Sequence, residues 1–216
     1  KNIKFINDLE EQELNTLTNA KKSKNLFVII SKSGNTNEIL TIINMLGNKI
    51  IKKTNTIVIT ENKNNELNNF AIKNGITRIP HKKNIGGRFS VLTEVGMLPA
   101  FLMGLNINKF KNDLKKNTLE LCKKNLKEST SYLIKIFNEG PKKNIVLLNY
   151  CKQTEDFSLW LQQLIAESLG KKNKGFLPSI SKCPRDHHSL LQLYLDGPKD
   201  KIFYIFSGKN KFNFKL

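Results

Sequence analysis

The stretch NLFVIISKSGNTNEIL, residues 25–40, indicates the fold of this chain. Residues 25–31 form a nearly continuous apolar run closed by polar residues, which is typical of a β-strand buried on both faces. Residues 37–46 then predict a helix, because their apolar side chains recur on one side: Ile39, Leu40, Ile42, Ile43 and Leu46. A buried strand that leads directly into an amphipathic helix favours a parallel sheet.

The same alternation continues along the chain. Further strands are predicted at residues 56–60, 76–79, 144–150 and 201–206. Helices are predicted at 65–73, 91–104 (buried, and interrupted near Pro99), 108–138 and 157–169, with one or two helical turns at 188–195. Residues 171–186 are polar and contain proline, so they are predicted to form a long loop. The pattern indicates an α/β fold whose parallel sheet is covered by helices on both faces.

Composition narrows the class of protein. The chain has 216 residues, 39% of them hydrophobic, which favours one domain over residues 1–216. No apolar stretch reaches the roughly 18 residues of a membrane-spanning helix. Cys122, Cys151 and Cys183 lie far apart without a C-x-x-C pair, so free thiols in a reducing cytoplasm fit better than disulfides or a zinc site. The chain begins with Lys1 rather than Met, which indicates a piece of a longer polypeptide or an incomplete gene product.

The charge is strongly positive. Lysine and arginine number 36 against 18 acidic residues, a formal net charge of +18. Nucleic-acid binding is one interpretation, and compositional drift with mild attraction of anions is the other. No aromatic residues alternate with the basic ones and no zinc-finger or basic-zipper pattern is present, so we favour drift and predict neither a nucleic-acid partner nor a membrane partner.

The loop between the first strand and its helix is rich in groups that bind anions. Ser31, Lys32, Ser33 and Thr36 bring three hydroxyls and an ammonium to a predicted helix N-terminus, where unpaired N–H groups favour a phosphate. Asn35 and Glu38 have the spacing of an N-cap and its capping partner. Capping alone needs one such residue, so the surplus favours anion binding, although the spacing is not that of a Walker A loop.

Three other clusters carry candidate chemistry. Gly86 and Gly87 allow close backbone approach beside the permanent cation of Arg88, and the alternative is a tight turn with a solvated arginine. Gln163 and Glu167 share one helix face, where a partly desolvated carboxylate would act as a base and an ordinary surface glutamate is the alternative. One of the adjacent histidines His187 and His188 suits acid–base work, and a loop histidine without a catalytic role is equally compatible.

Taken in order, these motifs resemble one family. The segments S-K-S-x-x-T with Glu38, G-G-R-F-S-V-L at 86–92, V-G-M-L-P at 95–99, Q-x-x-x-E-S-L-G-K at 163–171 and D-x-H-S at 186–189 are similar to phosphoglucose isomerase (glucose-6-phosphate isomerase) of the bacterial type. The resemblance runs from about residue 5 to 206. It implies the sugar isomerase fold, a doubly wound αβα sandwich, and interconversion of glucose 6-phosphate and fructose 6-phosphate without metal or cofactor.

The resemblance also implies a role for each matching residue. Ser31, Lys32, Ser33 and Thr36 match the loop that holds the sugar phosphate. The remaining matches are Gly87 and Arg88 beside the reacting carbons, Gln163 as a substrate contact, Glu167 as the base that moves the proton, and His188 in ring opening. Arg88 would stabilise the enediolate. Family members are usually dimers with a shared active site, so a homodimer is implied.

Two departures from the family keep an alternative open. The family's N-terminal Gly-Ser segment and C-terminal lysine are missing, and Lys209, Lys211 and Lys215 match no motif, which indicates truncation at one or both ends. The alternative is a non-catalytic phosphosugar-binding or regulatory module of the same fold. Such a sensor needs only the phosphate loop, so the presence of Glu167, Arg88 and His188 together favours the enzyme.

The charge interpretation predicts weak binding to nucleic acid. Random duplex DNA should bind weakly at low salt and be released by physiological salt, because scattered lysines make only phosphate contacts. Fluorescence anisotropy with labelled duplexes across a salt series measures this. Tight, sequence-dependent binding at physiological salt would contradict the interpretation.

Overall fold

The structure is a computed structural model that describes residues 3–6, 9–18, 25–124, 126–140 and 142–208. The chain divides into two compact units, Lys1–Asn112 and Asp113–Leu216. Each unit contains a three-stranded parallel sheet. The α/β class with parallel strands is therefore confirmed.

The first unit has strand order β1-β2-β3. Its elements are α1 (Glu11–Thr18), β1 (Phe27–Ile30), α2 (Asn37–Ile50), β2 (Thr56–Glu61), α3 (Glu66–Lys73), β3 (Thr77–His81), a 3₁₀ helix (Gly87–Leu92) and α4 (Glu94–Leu102). Helix α5 (Ile107–Lys124) crosses the boundary between the units in sequence. Val58 of β2 and Leu67 of α3 are fully buried, and Ile43 of α2 packs into the same core. The apolar spacing that predicts α2 thus supplies one wall of this core.

The second unit has strand order β5-β4-β6. Its elements are α6 (Leu126–Glu139), β4 (Asn144–Asn149), a 3₁₀ turn (Lys152–Thr154), α7 (Glu155–Leu169), β5 (Leu177–Lys182), α8 (His187–Asp196) and β6 (Lys201–Phe206). The chain leaves β4 for one neighbour and then passes to the other side of β4. With right-handed crossovers, α7 and α8 therefore cover opposite faces of the sheet, which is the doubly wound arrangement.

Strand β5 corrects the prediction of a continuous loop at 171–186. Its sequence, LPSISK, contains a proline and two serines, which are not typical of a β-strand. The strand pairs only with β4 and forms an edge, where a proline is tolerated. Ser181 is fully buried. A search for apolar runs therefore does not find this strand, whose buried positions are Pro178 and Ser181.

The stretch 91–104 is also less regular and less buried than predicted. Helix α4 contains Pro99 and follows the 3₁₀ helix, and its side chains are not buried among the described residues. Phe101 is 61% exposed, and within its unit α4 packs mainly on the 3₁₀ helix and on strand β3. The predicted stretch 108–138 is split between α5 and α6. No described helix is both long and apolar enough to cross a bilayer.

The core of the first unit predicts a difference between two positions on α3. Leu67 is 0% exposed and Ile72 is 56% exposed. Leu67→Ala should lower the free energy of unfolding by about 2–5 kcal/mol, because it leaves a cavity, whereas Ile72→Ala should change it by less than ~0.5 kcal/mol. Urea unfolding followed by circular dichroism measures both. Equal losses would mean that α3 does not pack as described.

Candidate active site

Backbone hydrogen bonds hold the loop that follows β1 against the end of β2. Ser31 donates its N–H to the Ile59 carbonyl at 3.1 Å, and Glu61 donates its N–H to the Lys32 carbonyl at 3.2 Å. The pairing between the two strands therefore continues past the end of β1. Because parallel strands bring their carboxyl ends to one edge, this edge is where α/β proteins bind ligands.

The hydroxyls of the loop converge. The Ser31 and Thr36 hydroxyl oxygens lie 2.8 Å apart, and those of Ser33 and Thr36 lie 3.5 Å apart. Gly34 donates its N–H to the Ser31 hydroxyl at 3.1 Å. Three predicted phosphate ligands therefore meet at the N-terminus of α2, where the helix dipole favours an anion.

The predicted capping box is wrong. Thr36, not Asn35, holds the N-cap position of α2, and its hydroxyl is directed to Ser31 and Ser33. The Asn35 side chain instead accepts a hydrogen bond from the Glu66 N–H at 3.0 Å, at the start of α3. An asparagine that caps a neighbouring helix cannot be distinguished by spacing from one that caps its own. The Thr36 side chain makes no capping hydrogen bond to α2, so the loop hydroxyls are not used to cap this helix.

Gly34 fixes the shape of the loop. Its φ of +72° lies in the left-handed region, and a Cβ there would lie 1.8 Å from Asn65 Oδ1. Asn65 is buried and caps α3 by accepting from the Asn68 N–H at 2.8 Å. A residue with a side chain at position 34 would therefore displace either the loop or the start of α3.

Lys32 reaches away from the loop towards the segment that carries Arg88. Its ammonium donates to the Ile85 carbonyl at 2.7 Å and to the Lys83 carbonyl at 3.3 Å, and lies 3.4 Å from Glu61 Oε1. The other Glu61 oxygen lies 2.8 Å from the Lys63 ammonium. Hydrogen bonds from Lys63 and then Lys32 lower the pKa of the Glu61 carboxyl, against the opposing effect of burial. Sequence analysis missed Glu61, although an acidic residue directly after a buried strand was the available signal.

Gly87 and Arg88 begin the 3₁₀ helix of the same unit. The Ser90 hydroxyl donates to the Gly87 carbonyl at 2.5 Å, and the Arg88 guanidinium lies 5.2 Å from the centre of the Phe89 ring. Gly87 is exposed and Arg88 is half-buried. The first unit thus brings the predicted phosphate loop and the Gly87–Arg88 pair together through Lys32.

Gln163 and Glu167 lie on α7 of the second unit. The Gln163 side-chain amide donates to Glu167 Oε1 at 2.9 Å, which confirms that the two share a face. Both are exposed, so of the two interpretations of Glu167 the ordinary surface glutamate fits this unit, and the partly desolvated carboxylate does not. Leu161 and Ile165 pack into the core, and residues two positions further on point to the opposite side of a helix.

His188 lies in the first turn of α8 and is exposed. The loop before it is anchored by Asp186, which accepts from the Lys182 N–H at 2.7 Å and from Arg185 Nε at 2.8 Å. The hydrogen bond from Arg185 lowers the pKa of the Asp186 carboxyl. His187 packs instead on Tyr150, with its Nε2 atom 3.0 Å from the Tyr150 hydroxyl oxygen.

Each unit therefore carries part of the predicted set. The first holds the phosphate loop, Gly87 and Arg88, and the second holds Gln163, Glu167 and His188. In the described part of the chain, no group of three His, Cys, Asp or Glu side chains is arranged to hold a metal ion. Cys122, Lys209, Lys211 and Lys215 fall where the structure does not describe the side chains.

Comparisons with known proteins agree on one relationship. The chain is 34% identical to a glucose-6-phosphate isomerase of Methanocaldococcus jannaschii over 96% of the chain and 54% of that protein. It is 32% identical to a glucose-6-phosphate isomerase of Mycoplasma mycoides subsp. mycoides over 90% of the chain and 48% of that protein. The crystal structure of a hypothetical protein from Thermus thermophilus matches 92% of the chain and 51% of its own, with a TM-score of 0.75 and 27% identity.

No family model matches the sequence. The chain spans about half the length of the curated relatives it matches. The resemblance noted in its motifs is confirmed across most of its residues, and the solved structure agrees with the fold. The chain is thus a relative of the glucose-6-phosphate isomerases and corresponds to about half of such a protein.

Proposed function

We propose that the chain forms the sugar-phosphate-binding and proton-transferring part of an enzyme that interconverts glucose 6-phosphate and fructose 6-phosphate. The observation that carries the proposal is the convergence of the Ser31, Ser33 and Thr36 hydroxyls at the N-terminus of α2. The names of the relatives, which are glucose-6-phosphate isomerases, support the choice of substrate.

The loop offers a phosphate two kinds of donor. Hydroxyls of Ser31, Ser33 and Thr36 rotate to donate to phosphate oxygens, and the first N–H groups of α2 add the positive end of the helix dipole. Phosphate binding here would fix one end of the sugar and leave the carbonyl end for reaction.

The reaction is a proton transfer between adjacent carbons. In the open-chain aldose, the Glu167 carboxylate would take the proton from C2, and the C–H electrons would form the C1–C2 double bond of an enediolate. The same carboxyl group would return that proton to C1, while the hydroxyl proton on O2 is lost and O1 is protonated, which gives the ketose. The reaction is redox-neutral overall, since C1 is reduced as C2 is oxidised.

The other predicted residues would assist this transfer. Arg88 would stabilise the negative charge of the enediolate, and a guanidinium does so without changing its own protonation state. Gln163 would orient Glu167 through the hydrogen bond between them. His188 would exchange a proton with the ring oxygen as the sugar ring opens.

We further infer a homodimer with a shared active site, acting in the cytoplasm in glycolysis and gluconeogenesis. The exposure of Glu167, Gln163 and His188 supports the dimer with a shared active site, and the names of the relatives support the place in sugar metabolism. A carboxylate base near neutral pH needs partial desolvation, and a second subunit or further chain would supply it.

The exposure of Glu167 also suits the second candidate, a phosphosugar-binding module without catalysis. A module of that kind would bind the phosphate with the first unit, and Glu167 would have no catalytic role. The presence of Arg88, Glu167 and His188 in one chain favours the isomerase, because binding of a phosphate alone requires none of the three.

Phosphate binding should depend on Gly34. Gly34→Ala should weaken the binding of fructose 6-phosphate by at least about tenfold, since a Cβ cannot coexist with the Asn65 side chain. Gly75→Ala is the matched control, because Gly75 also has a positive φ but its Cβ would meet open space. Isothermal titration calorimetry measures both. Unchanged affinity in Gly34→Ala would place the phosphate elsewhere.

Proton transfer should depend on Glu167. In a protein of the relatives' full length that carries this chain, Glu167→Gln should lower kcat by about 10²–10⁴-fold with little change in substrate affinity, because only the proton acceptor is removed. Exchange of the C2 proton with deuterated solvent, followed by NMR, should fall in step. Arg88→Lys should also slow the reaction, though less.

The control for Glu167 lies on the same helix. Asp156→Asn removes another exposed carboxylate of α7 and should leave both kcat and exchange unchanged. Exchange at the parent rate in Glu167→Gln would mean that another residue is the base.

A further inference from the structure

The ammonium of Lys32 is fully engaged within the first unit. Its three donors face three acceptors, namely the Ile85 carbonyl, the Lys83 carbonyl and the Glu61 carboxylate, at 2.7, 3.3 and 3.4 Å. An ammonium with all of its donors in use makes a poor direct ligand for phosphate. Lys32 is instead a bridge from the phosphate loop to the segment that precedes Gly87 and Arg88.

The bridge needs Glu61. A lysine side chain is flexible, and two carbonyl oxygens hold it less strongly than a carboxylate does. The Glu61 carboxylate is itself nearly buried, with 8% of its side chain exposed, so it lies in a fixed position at the end of β2. Hydrogen bonds from Lys63 and Lys32 lower the pKa of its carboxyl, so it stays ionised into more acidic solution than an ordinary glutamate does. The stabilisation of the folded unit by the ionised Glu61 is fully present above the ordinary pKa of a glutamate. It is lost as the pH falls through the lowered pKa of Glu61.

The same glutamate holds Lys32 through the backbone. The Glu61 N–H donates to the Lys32 carbonyl at 3.2 Å, and the Glu61 side chain pairs with the Lys32 ammonium at 3.4 Å. Both ends of Lys32 are therefore tied to one residue. The distance between the phosphate loop and Ile85, two residues before Gly87, follows from this arrangement.

We propose that Glu61 is a positioning residue that holds Lys32 on the Ile85 carbonyl and so sets the spacing between the phosphate loop and Arg88. The proposal rests on the proposed function. It adds that a sugar phosphate anchored at Ser31, Ser33 and Thr36 meets Arg88 at its reacting end only while this bridge is intact. Glu61 acts through Lys32 and touches no substrate.

Hydrogen exchange on the chain itself tests the bridge without any catalysis. In Glu61→Gln, the amide exchange of residues 85–90 should rise by about tenfold or more, because the carbonyl of Ile85 loses its anchored cation. The amides of β2 should keep their protection. A general loss of protection across β1, β2 and β3 would mean that Glu61 merely stabilises the unit, and unchanged exchange at 85–90 would refute the bridge.

Lys63→Met provides the matched control. It removes the other cation that pairs with Glu61, at 2.8 Å, and leaves the Lys32–Ile85 contact in place. Exchange at residues 85–90 should therefore match that of the parent. A rise equal to that in Glu61→Gln would mean that losing either cation partner of Glu61 loosens the segment, and would contradict a role of Glu61 that is specific to Lys32.

Kinetics of a full-length isomerase that carries this chain test the consequence for Arg88. Glu61→Gln should lower kcat by about ten- to a hundredfold, because misplacement of a catalytic group by about 1 Å has effects of that size. Affinity for inorganic phosphate should not weaken, since a nearby negative charge has been removed. Weakened phosphate binding together with an unchanged kcat would contradict the proposal.

A double variant separates this proposal from the proposed function. If Glu61 acts through Lys32, then Glu61→Gln should have no further effect on kcat in a Lys32→Met background. Additive losses would refute the positioning role while leaving the isomerase intact. An inactive parent enzyme would instead refute the proposed function, and hydrogen exchange would still decide whether the bridge exists.

Discussion

The site of the first unit depends on the pairing between β1 and β2 beyond the end of β1. The bonds from Ser31 to Ile59 and from Glu61 to Lys32 hold the loop at the sheet edge before it turns into α2. Four residues then separate Ser31 from Thr36, and their hydroxyl oxygens still lie 2.8 Å apart. Gly34 makes this turn possible, because it takes a left-handed conformation where a side chain would strike Asn65. The convergence of these hydroxyls is therefore a consequence of the pairing between the two strands.

Sequence analysis predicted the parts that depend on local pattern. Apolar runs identified β1, β2 and β4, since buried parallel strands show no alternation. It failed where tertiary context decides. Strand β5 is polar and contains Pro178, which only an edge position tolerates, and Asn35 caps a helix other than its own. Glu61 directly follows an apolar run, which is a local signal for its place at the end of a strand, but its pairing with Lys32 is distant in sequence and no local spacing reports it.

The two units divide the proposed chemistry by type. The first offers groups that would bind charge, namely hydroxyls, a helix N-terminus and Arg88, and the second offers groups that would move protons, Glu167 and His188. Glu167 lies on the side of α7 opposite its core-facing residues. This placement explains why apolar neighbours in sequence do not desolvate it, and why the proposed enzyme needs a surface beyond the second unit to complete the base.

The central claim is that the loop at the N-terminus of α2 anchors the phosphate of a sugar phosphate. A crystal structure of the chain with fructose 6-phosphate tests it most directly. We predict the phosphate within hydrogen-bond distance of the Ser31, Ser33 and Thr36 hydroxyls. A sugar phosphate bound elsewhere, with the loop at residues 31–36 empty, would contradict it.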